Sequence, residues 1–246
     1  LRDRLYLNDG NGVLIAQGEF PNFQISTGTT VVLDANGDGF PDLFVGGKVI
    51  PGRYPESPES KLLINDGKGK FTDQTAQYLP NQGKLGMLTG SVSQDLNGDG
   101  KEDLILLGEF MAPMALINQS ETSFVDESAN YFPKNLSGWW SSLAQADMDG
   151  DGDLDLLAGN FGLNSQLLAS PEKSIRLYVS DFDQNGSIDP ILECFIKDGH
   201  YPYPSRDELL DQMVSMRSKF TDYASYSQAK LSDLFSAEEL SKAQKL

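Results

Sequence analysis

The chain has 246 residues, 39% of them apolar, with 24 Gly and 12 Pro. That composition excludes a disordered chain and suits a turn-rich globular fold of one large or two ordinary domains. The net charge of −17, with no basic stripe, excludes nucleic acid as a partner.

The chain opens on a strand-like run, Leu5-Tyr-Leu-Asn-Asp-Gly10-Asn-Gly12-Val13, which reads as a Gly-turned hairpin. The abrupt start reads as a piece cut from a longer protein, and neither a signal peptide nor a transmembrane run is visible. The strand Thr30–Leu33 then leads into an acidic loop, Asp34-Ala-Asn36-Gly-Asp38-Gly39-Phe40-Pro-Asp42, and the strand Leu43–Val45 leaves it. A hairpin follows, Leu62-Leu-Ile-Asn-Asp-Gly67-Lys-Gly69-Lys-Phe71.

The pattern recurs. Ser91–Gln94 enters a second loop with Asp95, Asn97, Asp99, Gly100, Lys101 and Asp103, and Leu104–Leu107 leaves it. A degraded hairpin runs over Leu116–Asp126. The third loop carries Asp147, Asp149, Asp151, Gly152, Asp153 and Asp155, between Ser142–Ala146 and Leu154–Ala158. The fourth carries Asp181, Asp183, Asn185, Gly186, Ser187 and Asp189, between Ile175–Val179 and Ile191–Ile196. Loop starts at 34, 95, 147 and 181 are 61, 52 and 34 residues apart. The first two intervals suit a four-stranded unit, and the last leaves little room for a full one.

Each loop has side-chain oxygens at positions 1, 3, 5 and 9 and Gly at position 6. A hard cation such as Ca²⁺ needs that convergence of oxygens and that sharp turn, and position 7 (Phe40, Lys101, Asp153, Ser187) would add a backbone carbonyl. A lone Asp/Gly turn would need no metal; four with one pattern point to up to four calcium ions. The loops hold 13 of the 36 acids. The third, with four carboxylates at the oxygen positions, should bind tightest. EF-hand loops are excluded because those lie between helices and close with a Glu at position 12.

These loops and the Asn-Asp-Gly-x-Gly-x-Phe hairpins resemble the FG-GAP/VCBS repeats of integrin α-subunits and many bacterial surface and secreted proteins, over roughly residues 1–200. The resemblance implies an all-β fold of β-propeller blades, about four in this chain, in a truncated segment of a seven-bladed ring or in a smaller or open one. Asn36, Asn97 and Asn185 depart from the family's Asp. The resemblance also implies an extracellular, periplasmic or outer-surface location.

From 201 to 246 the character changes to a helical extension packed on the blades. Ser205/Glu208 and Ser236/Glu239 are capping boxes opening two or three helices, with Tyr223, Tyr226, Leu231, Leu234 and Phe235 as packing residues.

The loops join first strands to second strands, so they share one face, and a six-residue strand puts the opposite end about 20 Å away. Trp139 and Trp140 precede a first strand there, and Asn160 and Asn164 follow a second. A Trp pair beside amides would take a glycan or peptide; the competing reading is that the indoles fill space between blades. One His (His200) and one Cys (Cys194, in an apolar run) make no catalytic constellation. The function expected is a calcium-stabilised scaffold that binds protein or glycan. The alternative is a polysaccharide lyase or hydrolase built on a propeller.

Overall fold

The computed structural model describes all residues except 1–2, 17–19, 121–122, 163–164, 166 and 168. Two compact units are present: residues 1–52 with 56–160, and residues 53–55 with 161–246.

The first unit is a series of antiparallel sheets. A hairpin, β1 (Tyr6–Asn8) and β2 (Leu14–Ala16), comes first. The next sheet runs β3 (Ser26–Leu33), β4 (Asp42–Val49), β5 (Lys61–Asn65), β6 (Phe71–Asp73), in chain order. The following sheet repeats that order with β7 (Met87–Gln94), β8 (Asp103–Glu109), β9 (Met114–Ser120) and β10 (Ser123–Asp126). One-turn helices, α1 (Thr75–Tyr78) and α2 (Ser128–Tyr131), follow the two outer strands. Among the described residues the last sheet holds β11 (Trp140–Ala146) and β12 (Asp155–Asn160).

The core explains the continuous apolar runs after the loops. Strands β4 and β8 are covered on both faces, and Phe44, Leu104, Ile105, Leu106 and Leu107 are buried together with Leu33, Leu62, Leu88 and Leu116. Consecutive sheets approach through glycine. A Cβ on Gly28 of β3 would lie 2.0 Å from the Leu88 carbonyl oxygen of β7, so no side chain fits. Gly90 of β7 repeats this against β11, where a Cβ would meet Leu143 Cβ at 2.8 Å. Strand β12 departs from the pattern: Leu157 is 61% exposed at the position where Phe44 and Ile105 are 0% and 1% exposed.

The second unit joins a sheet to the helical segment. Its strand order is β15-β14-β13-β16, from β13 (Arg176–Ser180), β14 (Asp189–Ile196), β15 (Gly199–Pro202) and β16 (Gln244–Lys245). Four short helices fill the span before β16: α3 (Arg206–Gln212), α4 (Tyr223–Tyr226), α5 (Leu231–Leu234) and α6 (Ala237–Lys242). Both capping boxes form: Ser205 N–H donates to Glu208 at 2.8 Å and Ser236 N–H to Glu239 at 2.7 Å. Phe182, Ile191, Leu209, Met213, Phe220, Leu231, Leu234 and Phe235 make this unit's core, with the Phe182 and Phe235 rings stacked at 3.9 Å. Tyr223, expected to pack, is 65% exposed and lies against Arg206 instead.

The fold is therefore mainly β, in several antiparallel sheets with helices at the C-terminal end. The four-stranded order expected of each repeat is complete in two sheets. Among the described residues no outer pair follows β12 in the third repeat, and in the fourth β16 adds to the far edge of β13.

Candidate metal centres

The four acidic loops connect β3 to β4, β7 to β8, β11 to β12 and β13 to β14. All four fold around the same hydrogen bonds. The position 1 carboxylate accepts from the position 6 N–H: Gly39 to Asp34 at 2.8 Å, Gly100 to Asp95 at 2.8 Å, Gly152 to Asp147 at 3.1 Å, Gly186 to Asp181 at 2.9 Å. The position 5 oxygen accepts from the position 7 N–H at 2.7–3.0 Å in each loop, from Phe40, Lys101, Asp153 and Ser187. The position 9 carboxylate accepts from the position 2 N–H at 2.9–3.0 Å, from Ala35, Leu96, Met148 and Phe182.

Left-handed backbone makes this wrap possible. Positions 4 and 6 have positive φ in every loop; seven of these eight residues are Gly, and the eighth is Gln184 at φ 58°. The result turns carboxylates inward. Asp147, Asp149 and Asp151 bring oxygens within 4.8 Å of one another, as do Asp181, Asp183 and Asp189. In the other two loops Asn36 and Asn97 stand at position 3. There Asn36 Nδ2 donates to Asp38 at 2.8 Å, and Lys101 Nζ lies 3.2 Å from Asp99.

The position 9 acids are the unusual ones. Asp42 and Asp103 are fully buried and Asp189 nearly so, whereas Asp155 is exposed. Burial pushes the Asp42, Asp103 and Asp189 carboxyls above the ordinary carboxylate range. Backbone N–H donors oppose that shift, and neighbouring loop carboxylates reinforce it. The second oxygen of Asp42 accepts from Asn65 N–H and that of Asp103 from Asn118 N–H, both at 2.8 Å and both on the third strand. In the fourth loop Gln212 of α3 comes within 3.5 Å of Asp189 instead. Sequence reasoning missed Gln212, because no local pattern links it to a loop 23 residues earlier.

A charged group also ties neighbouring loops. Glu102, at position 8 of the second loop, accepts from Asp34 N–H at 2.7 Å, and Asn118 Nδ2 donates to Ala35 O at 3.1 Å.

At the other end of the strands, Trp140 pairs with Asn160 across β11 and β12. The Trp140 indole N–H donates to Met111 O at 3.0 Å, which fixes the ring against the preceding sheet. Trp139 lies against Phe110, centroids 4.8 Å apart. Both Trp residues line a small cleft of about 180 Å³ with Gly28, Thr89 and the Lys48–Glu109 ion pair. Asn164 lies outside the described residues. His200 Nε2 is 3.1 Å from Ser174 O and its ring packs edge-on against Phe195, a structural setting. Cys194 is buried, and burial pushes its thiol up, away from reactivity.

Residues 95–158 match the family model described as the FG-GAP-like repeat. The match begins at Asp95, the first residue of the second acidic loop, and ends within β12, so it covers two of the four loops. No curated protein matches the chain. No described helix is long and apolar enough to cross a membrane.

Proposed function

We propose that this chain is a calcium-stabilised scaffold of β-propeller blades, acting outside the cell or at its surface, that binds protein or glycan at the face opposite its acidic loops. One observation carries the metal part of the reading. Four loops far apart in sequence fold around the same hydrogen bonds, and in the third and fourth three acids bring oxygens within 4.8 Å of one another. An Asp/Gly turn needs no buried carboxylate at its close. Asp42, Asp103 and Asp189 nevertheless spend burial on one, a cost that a divalent cation would offset. The sites would be held by Asp34, Asn36, Asp38 and Asp42; Asp95, Asn97, Asp99 and Asp103; Asp147, Asp149, Asp151 and Asp155; and Asp181, Asp183, Asn185 and Asp189. Carbonyls of Phe40, Lys101, Asp153 and Ser187 would complete them.

The blade reading is supported by the two complete four-stranded sheets, their repeated glycine contacts, and the FG-GAP-like match. Repeats of this kind are typical of extracellular or surface proteins, which supports the location. Calcium sites of extracellular modules work at roughly 10⁻⁴–10⁻³ M, matching a calcium-rich exterior. The recognition surface would be the Trp139/Trp140 cleft, where an aromatic face meets a cation and a carboxylate. A glycan and peptide array screened in calcium, with Trp139→Ala as control, tests this. Binding lost in the variant at an unchanged melting temperature supports the cleft as the site. Equal binding by both proteins removes it from that role.

A further inference from the structure

The second unit holds a hollow of about 640 Å³ between the β14–β15 turn and the segment that joins α4 to α5. It is more than three times the volume of the Trp139/Trp140 cleft and lies within the range of small-molecule sites, roughly 300–1,000 Å³. Its walls come from residues 196–202 and 226–229, all of them within this unit. Strand β14 begins at Asp189, the close of the fourth acidic loop, and ends at Ile196, so the hollow lies at the end of the strand away from that loop.

Two tyrosine rings in its wall are held by their own hydroxyls. Tyr226 donates to Pro204 O at 2.8 Å, and its ring packs edge-on against Phe220. Tyr201 donates to Asp198 at 3.2 Å, and Lys230 Nζ stands over its ring, 5.8 Å from the centroid. Rings fixed in this way lose little freedom when a ligand arrives. Asp198 spends one oxygen on Tyr201 and keeps the other, while the exposed Gln228 amide offers both a donor and an acceptor.

The charge at the hollow is set by two lysines. Among the described residues neither Lys197 nor Lys230 has a carboxylate within ion-pair distance, whereas Arg176, Arg206 and Arg217 of the same unit each have one. Lys197 also holds left-handed backbone, φ 54°, at a turn position that glycine would occupy without strain. A glycine there would relieve the strain and lose the ammonium. In a chain of net charge −17, two unpaired ammoniums beside one hollow select an anion.

We propose that this hollow binds a short acidic saccharide, with sugar rings packed on Tyr201 and Tyr226 and a uronic acid carboxylate at Lys197 and Lys230. A pyranose offers an apolar face to tyrosine and hydroxyls to Asp198 and Gln228. A neutral sugar would leave the ammoniums unused, and inorganic phosphate would leave the rings unused. A wholly apolar ligand would bury Asp198 and Gln228 unpaired. The site shares no residue with the Trp139/Trp140 cleft and uses no acidic loop, so it stands or falls apart from the function proposed above.

Titration of the whole chain, at fixed calcium, with galacturonate, glucuronate and mannuronate disaccharides, each beside its methyl ester, tests this. At least one acid should bind saturably and shift the amide resonances of residues 196–202 and 226–229. Its ester, which keeps the ring and loses the charge, should bind about tenfold more weakly. Lys197→Gln combined with Lys230→Gln should erase that preference at an unchanged melting temperature, Tyr201→Ala should weaken acid and ester together, and Trp139→Ala should bind as wild type does. The inference is overturned by no binding of any of the three acids at millimolar concentration. Equal affinity for acid and ester, or acid binding that survives the double lysine variant, overturns it too. So do resonance shifts confined to the acidic loops.

Discussion

The backbone N–H of Asp34, the first residue of loop one, donates to the carboxylate of Glu102 in loop two at 2.7 Å. The other Glu102 oxygen lies 3.2 Å from the Ser93 hydroxyl, which is also 3.1 Å from Val32 O. One side chain thus braces two loops that belong to consecutive sheets. Glu102→Ala should cost about 1–3 kcal/mol, the range for losing a charge-assisted hydrogen bond. It should also weaken cation binding at the first loop more than at the third. Thermal melts with calcium titrations of the variant check both effects.

The buried position 9 acids set a pH dependence. The carboxyls of Asp42, Asp103 and Asp189 titrate above their unfolded range, chiefly because burial penalises the charge. Between the unfolded and the folded pKa the folded chain therefore holds more protons. For these groups acidification from neutral pH stabilises the calcium-free fold, and that gain is complete below the unfolded value. Calcium needs the same groups ionised, so acid works against the metal. The gap in melting temperature between calcium and EDTA should narrow as pH falls from 7 toward the ordinary carboxylate range. A gap that widens would contradict the ligand role of these three acids.

Loop backbone makes a separate prediction. Gly39 has φ 83° and a Cβ there would meet nothing within 4 Å, so Gly39→Ala isolates conformational cost. It should destabilise by about 1–2 kcal/mol. Gln184 occupies the position where the other three loops have Gly37, Gly98 and Gly150, at φ 58°. Gln184→Gly should stabilise by about 0.5–1 kcal/mol, the left-handed strain relieved exceeding the entropy added to the unfolded chain. Chemical denaturation of both variants measures the signs.

At the helical end, Ser236 caps α6 by accepting from Glu239 N–H at 3.2 Å, while Glu239 returns a bond to Ser236 N–H. Ser236→Ala should lower stability by about 1 kcal/mol. Since β16 follows α6 directly, amides that pair β13 with β16 should exchange faster in the variant, which mass spectrometry would detect.

The acidic loops, their flanking strands and both capping boxes were legible in the sequence because each is specified within about ten residues. Asp34 to Asp42 contains its own turn glycines and the carboxylates they fold around, and Ser205 sits three residues from Glu208. What escaped depends on distant partners. Glu102 looks like any surface acid until folding brings Asp34 beside it from 68 residues away. Gln212 shows no link to Asp189, and β16 is two polar residues whose strand state exists only against Tyr178 and Val179. The exposure of Leu157 was hidden by the apolar sequence of β12, since Leu156 and Leu157 belong to a continuous apolar run of the kind a covered strand has.

Calcium titration by isothermal calorimetry, after exhaustive EDTA treatment and dialysis, tests the central claim most directly. The account predicts saturable binding of about four ions per chain, in the range to roughly 10⁻³ M expected of extracellular modules. It also predicts loss of about one ion in Asp147→Ala. No heat of binding across that range, with a melting curve unmoved by calcium, would contradict it.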